Sequence, residues 1–156
     1  MSKEIGDRLP PEIIEALDGE ELARKVGPAH LLLTADEDGT PRPCMLSAGE
    51  LLAVDERRLR FALWPRTRTA GNLARGGSAV FCYVAPRAVL YVRGTTSRIP
   101  AEDSPLECFE LRVESVESDE HAGMPVTSGI TFAIERGDPA RVVEAWRRQL
   151  EPLRGA

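Results

Sequence analysis

No apolar run in this chain is longer than one β-strand, and each is closed within a few residues by turn chemistry. His30 to Ala35 ends at Asp36-Glu-Asp-Gly39, whose Asp-Gly step is a strong hairpin signal. Pro41 to Ser47 reads as the return strand, and Pro41 and Pro43 predict that it lies at an edge or a bulge, because proline cannot donate to a ladder. Leu51 to Val54 and Leu59 to Trp64 flank Asp55-Glu-Arg-Arg58, and Ser78 to Ala85 and Ala88 to Ile99 flank Pro86-Arg87. Phe109, Leu111 and Val113 then alternate with Glu110, Arg112 and Glu114, and Ile130, Phe132 and Ile134 repeat that pattern. Many short strands at close spacing predict a mainly β fold, a barrel or a sandwich.

Helical periodicity is confined to three places. Residues 1–27 read as a helical segment, with Ile13, Ile14 and Leu17 on one stripe and a second short helix over Leu22 and Val26 that stops at Gly27-Pro28. A helix over Thr67 to Arg75 interrupts the strands and ends at Gly76-Gly77. The last spans residues 138–150: Asp138 caps it, Pro139 suits its first turn, and Val142, Val143, Trp146 and Leu150 share a face. Residues 28–136 between these ends form the barrel, and with 156 residues the whole is expected to be a single domain.

Charge and composition exclude several functions. With 20 Lys+Arg against 25 Asp+Glu, the chain does not suit bulk attraction to nucleic acid. No apolar stretch approaches the roughly 18 residues of a membrane span, and Met1-Ser-Lys-Glu-Ile-Gly-Asp-Arg8 lacks the apolar core of a signal peptide, so a cytoplasmic protein is expected. Cys44, Cys82 and Cys108 are scattered, and only His30 and His121 could add imidazole ligands, so no metal site is predicted.

Leu59 to Ala85 carries the most chemistry. A strand ends at Trp64-Pro65, Arg66-Thr67-Arg68-Thr69 follows, and a helix begins. Two guanidinium groups and two hydroxyls thus meet backbone N–H groups that a helix start leaves unpaired, a pattern suited to phosphate. The same spacing also fits a capping threonine among solvated arginines.

Leu59-Arg-Phe-Ala-Leu-Trp-Pro-Arg-Thr-Arg-Thr-Ala-Gly-Asn-Leu73 resembles the core signature of the pyridoxamine-phosphate-oxidase-like FMN-binding split barrels: a strand, an aromatic residue, Ser/Thr-Arg-Lys/Thr, then a helix with Asn-Leu. His30 to Ser47 is similar to that family's first hairpin, and the likeness extends over roughly residues 28 to 100. The resemblance implies a six-stranded antiparallel split β-barrel with flanking helices, an FMN cofactor and a homodimer with the cofactor at its interface. It implies an oxidoreductase acting on a small molecule. A non-catalytic flavin-binding module and a deazaflavin-dependent reductase are the alternatives on the same fold.

Carried over by position, Arg42 corresponds to a residue that reaches the flavin phosphate. Met45, Leu46 and Ser47 correspond to the strand whose backbone runs along the isoalloxazine ring, and Ala62, Leu63 and Trp64 to the strand end beside the ribityl chain and ring. Thr67, Arg68 and Thr69 match the phosphate cluster, and Asn72 an asparagine on the helix. Thr69 stands where many members have lysine. Thr127 to Glu135 contains no histidine and no Arg-x-His-x-Arg cluster of the kind that true pyridoxamine-phosphate oxidases use for substrate, so the resemblance is to the wider family.

Overall fold

The structure, a computed structural model that describes residues 1–155, turns every predicted hairpin into paired strands. The strands are β1 (Ser2–Gly6), β2 (Pro28–Ala35), β3 (Pro41–Leu46), β4 (Leu51–Asp55), β5 (Arg58–Leu63), β6 (Gly77–Ala85), β7 (Ala88–Ile99), β8 (Glu107–Asp119) and β9 (Ile130–Thr131). The helices are α1 (Pro11–Ala16), α2 (Arg68–Ala74) and α3 (Pro139–Gly155), with one 3-10 turn over Leu22–Lys25. The strand order is β3-β2-β6-β7-β8-β5-β4, and every pairing is antiparallel. The fold is therefore mainly β, one curled sheet with helices at its flanks.

β3 is at one end of this order, as its two prolines require. The Asp36 to Thr40 turn is closed by Gly39 N donating to the Asp36 carbonyl at 2.9 Å, which leaves the Asp36 side chain free to face the helix side of the hairpin. At Pro86-Arg87 the second residue takes φ 77°, the left-handed conformation that the third position of a type II turn demands.

Three expectations are corrected. The sheet has nine strands, not six. Two lie off the main path: β1 pairs with β8, and β9 pairs with β2. β8 is long enough to serve two partners, β5 along Glu107 to Arg112 and β1 along Val116 to Asp119. The stretch Ser115 to Asp119 is thus ladder, and the N-terminal segment opens with a strand before its helix. Second, Ile130, Phe132 and Ile134 do not make a full strand. Only Ile130 and Thr131 pair, opposite Ala29 and Pro28, and Phe132 instead packs edge-on against Trp146 at 6.2 Å between ring centres. Third, α3 continues past Leu150 to Gly155 through Pro152. Its last turn is held from outside: Leu153 is fully buried, and its carbonyl accepts from Arg60 Nη1 at 2.7 Å.

The core is continuous. Phe61, Phe81, Phe109, Leu32 and Leu111 from the strands and Ile13, Leu17, Leu150 and Leu153 from the helical segments are all buried in one cluster. Among the described residues no helix is long and apolar enough to cross a membrane.

Candidate functional site

Asp36 organises the polar half of the site. Its two carboxylate oxygens accept from the Arg42 fork, Nε at 2.8 and 2.9 Å and Nη2 at 2.6 Å. Asn72, buried on α2, donates through Nδ2 to Asp36 Oδ1 at 2.9 Å and to Thr34 Oγ1 at 3.0 Å. Its Oδ1 accepts from Arg75 Nη2 at 2.7 Å. The Arg42 guanidinium, and next the Asn72 amide, hold the Asp36 carboxyl well below the usual carboxylate range, so it stays ionised. The helix is thereby tied to the β2–β3 hairpin by a charge-assisted network that sequence reading recognised only in part. Asp36, Thr34 and Arg75 were not singled out. The available signal was the carboxylate immediately before the Asp-Gly turn, which reads as turn chemistry.

An open cleft of about 450 Å³ lies against this network, bounded by Asp36, Glu37, Asp38, Arg68, Asn72 and Arg75. Its charges are mostly spoken for. Asp36 pairs with Arg42, Glu37 lies 3.7 Å from Arg75, and Asp38 accepts from the Thr40 backbone N–H. Arg68 and, two residues before it, Arg66 are exposed and make no hydrogen bond or ion pair among the described residues. Thr67 caps α2: its hydroxyl accepts from Ala70 N at 3.2 Å and donates to the Trp64 carbonyl at 3.1 Å. Thr69 is buried and set against the Cys44 thiol, whose pKa is pushed up by burial.

The apolar half is built where β3 and β5 end. Glu50 joins them, its carboxylate accepting from Ser47 N and Oγ at 2.7 and 2.9 Å and its carbonyl accepting from Ala62 N at 2.9 Å. Ser47 and Ala62 are therefore brought to one turn through Glu50. The side chains at the two strand ends divide sharply. Leu46, Ala62 and Leu63 are buried in the core, whereas Met45 is 62% and Trp64 60% exposed. Neither of the latter fills the barrel interior. His30 sits apart, buried with its ring stacked on Tyr83 at 5.4 Å, and burial lowers its pKa to about 4.

The chain is 35% identical over 145 residues to the Bacillus subtilis (strain 168) protein "Uncharacterized protein YclD", a match spanning 91% of this chain and 93% of that one. The chain belongs to the YclD family. No family model matches it. The fold of this YclD-family chain is shared with solved structures of low identity. A candidate pyridoxamine 5'-phosphate oxidase from Lactobacillus delbrueckii superposes with a TM-score of 0.58 at 17% identity, covering 73% of this chain and 98% of that one. HupZ of Group A Streptococcus gives 0.54 at 13% identity, covering 80% and 99%. A heme binding protein from Mycobacterium smegmatis gives 0.51 at 15% identity, covering 85% and 60%. The chain thus shares the fold of these proteins, a curled antiparallel sheet with flanking helices that is consistent with a split barrel.

Proposed function

We propose that this chain is an FMN-binding flavoprotein that performs two-electron redox chemistry on a small molecule, as a homodimer with the cofactor at the subunit interface. The observation that carries the reading is Arg68. In a protein with excess carboxylate, it stands exposed and unpaired at an open cleft whose other cations are already neutralised. An anion is the ligand such a group lacks, and a guanidinium fork matches phosphate oxygens.

The residues present fit a flavin mononucleotide. Arg68 would hold the phosphate. Met45 and Trp64, both exposed, offer the apolar surface that an aromatic ring needs, on the side of the molecule where β3 and β5 end. β3 is an edge strand, so its outward backbone N–H and C=O groups are free to meet the polar edge of a ring system. Bound FMN would supply the hydride-accepting chemistry, and the chain would bind, orient and shield it. No acid–base pair converges on the cleft, which suits a reaction carried by the cofactor.

The test is the absorbance spectrum of the purified protein with mass spectrometry of any released cofactor, followed by titration with FMN. Wild type should bind FMN, and Arg68→Ala should weaken it by about 1.5–3 kcal/mol, the scale of a charge-assisted hydrogen bond. Reduction of the bound flavin by NADH or NADPH with reoxidation would establish turnover, and its failure would favour a non-catalytic module. A released deazaflavin would reassign the cofactor, and absence of any flavin binding would sink the reading.

A further inference from the structure

One face of the sheet is filled and the other is left open. Leu32, Phe81 and Leu90 point inward and are buried in the core. Their chain neighbours point to the opposite, outer face. In register these neighbours form one row across four strands: Met45 is opposite Leu31, Leu31 opposite Cys82, and Cys82 opposite Tyr91. Paired residues of an antiparallel ladder share a face, so the row is a stripe of apolar and aromatic side chains. None of the four is buried, and Met45 is 62% exposed. The next row toward the β6–β7 turn runs Val84, Val89, Asp119.

A strap crosses the end of the outer face along that second row. It leaves the sheet at Asp119, where β8 ends and the carboxylate accepts from the Tyr91 hydroxyl at 3.2 Å. It rejoins at Ile130, which pairs with Ala29 of β2. Between these posts none of residues 120–129 is buried. Among the described residues, Val126 alone ties this backbone to the sheet, accepting from Arg87 N at 3.2 Å. Gly129 rests on Val84, where a Cβ would come within 3.0 Å of Val84 Cγ2. Gly123 bends the strap with φ 78°. A segment with so few contacts opens and closes at low free energy. At its middle, Met124 is 73% exposed, a large apolar side chain left in water.

Reach decides what that side chain can cover. Five residues from Asp119 to Met124 span roughly 16 Å when extended. From Asp119, Cys82 lies two strands across and one residue pair along, roughly 12 Å at sheet spacings, and Leu31 one strand further at roughly 16 Å. The other post is nearer, since Ala29 is two residues from Leu31 on the same face. Met124 can therefore swing onto the Cys82 and Leu31 part of the stripe, beside Met45, with both posts in place.

We propose that residues 120–129 are a lid over the flavin ring: the ring lies against Met45 and Leu31 on the outer face, and Met124 closes on it from the solvent side. This rests on the FMN reading above. Closure joins three apolar surfaces that each face water alone and excludes water from the ring.

The test is hydrogen exchange, read by mass spectrometry, on the full chain alone and saturated with FMN or with riboflavin, together with flavin release rates for wild type and Met124→Ala. Both flavins should slow exchange in residues 120–129 by about fivefold or more, because both carry the ring. Met124→Ala should speed release of both by about tenfold, the scale of one methionine contact, and leave the melting temperature of the free protein unchanged. Bound flavin with exchange in 120–129 unslowed would overturn the lid and leave the FMN reading standing. Release rates unaltered in Met124→Ala would do the same. Slowing that follows protein concentration without flavin would give the outer face to a second copy of the chain and also overturn the lid. A wild type that binds neither flavin would remove the FMN reading, and the lid with it.

Discussion

Gly49 lies directly beneath the indole of Trp146, so close that a Cβ at position 49 would sit 2.1 Å from Trp146 Cγ. This contact seats α3 on the turn between β3 and β4, the turn that also carries Glu50 and so joins the two strand ends of the apolar half-site.

Gly49→Ala should therefore destabilise the protein by roughly 2–3 kcal/mol, as overpacking of a filled core does. Chemical denaturation followed by tryptophan fluorescence measures this. Trp146→Leu in the same chain should recover part of the loss, and a Gly49→Ala protein as stable as wild type would show that the indole is free to move.

Arg60 gives the second prediction. It is almost wholly buried, pairs across the sheet with Glu110 at 2.8 Å, and caps α3 through the Leu153 carbonyl. Arg60→Ala leaves a mostly buried carboxylate and an orphan carbonyl, and should cost about 3 kcal/mol. Arg60→Met with Glu110→Leu removes both charges and should recover most of that stability. The two variants compared in one denaturation series decide between a pair that drives stability and one that merely cannot be broken singly.

How far these features were legible in sequence depends on the range of the interactions that make them. The β2–β3, β4–β5 and β6–β7 hairpins are local, and Asp38-Gly39, Asp55 to Arg58 and Pro86-Arg87 announce them. The edge position of β3 is written in Pro41 and Pro43. β1 is exposed along its whole length and carries no alternation to read, since it exists because β8 overhangs β5. The alternation of Phe132 and Ile134 is real, but Phe132 serves packing against α3 and not a ladder. At the site, Thr67, Arg68, Thr69 and Asn72 were visible as a motif. The pairing of Asp36 with Arg42 was not, because a carboxylate beside an Asp-Gly turn has the same local sequence whether it caps the turn or grips an arginine.

His30 predicts a pH dependence. Its pKa falls from the ordinary histidine value of 6.5 to about 4 because burial disfavours the charged ring. The unfolded chain therefore binds a proton at this position that the folded chain does not. Its contribution, about 3 kcal/mol, is complete above pH 6.5 and is lost as pH falls from 6.5 toward 4. The carboxylates with lowered pKa, Asp36 among them, lose their contributions only at lower pH. Denaturation midpoints between pH 7 and pH 4.5 should fall accordingly, and His30→Phe, which keeps the stack on Tyr83, should flatten the slope. A slope unchanged in that variant would assign the dependence elsewhere.

Trp64 separates ring recognition from phosphate recognition. At 60% exposure its side chain contributes little to the core, so Trp64→Ala should change stability by less than about 0.5 kcal/mol. If the flavin ring lies against this indole, the variant should weaken FMN and riboflavin alike, by about 0.5–1.5 kcal/mol beyond the loss of contact area. That pattern differs from the one expected for Arg68→Ala, where the loss falls on the phosphate-bearing ligand. The chain has two tryptophans, and Trp146 is buried, so Trp64→Ala should also abolish the solvent-exposed, red-shifted component of emission and leave the buried one. Riboflavin binding unaltered by Trp64→Ala would place the ring elsewhere along β3, with Met45 the remaining exposed apolar contact.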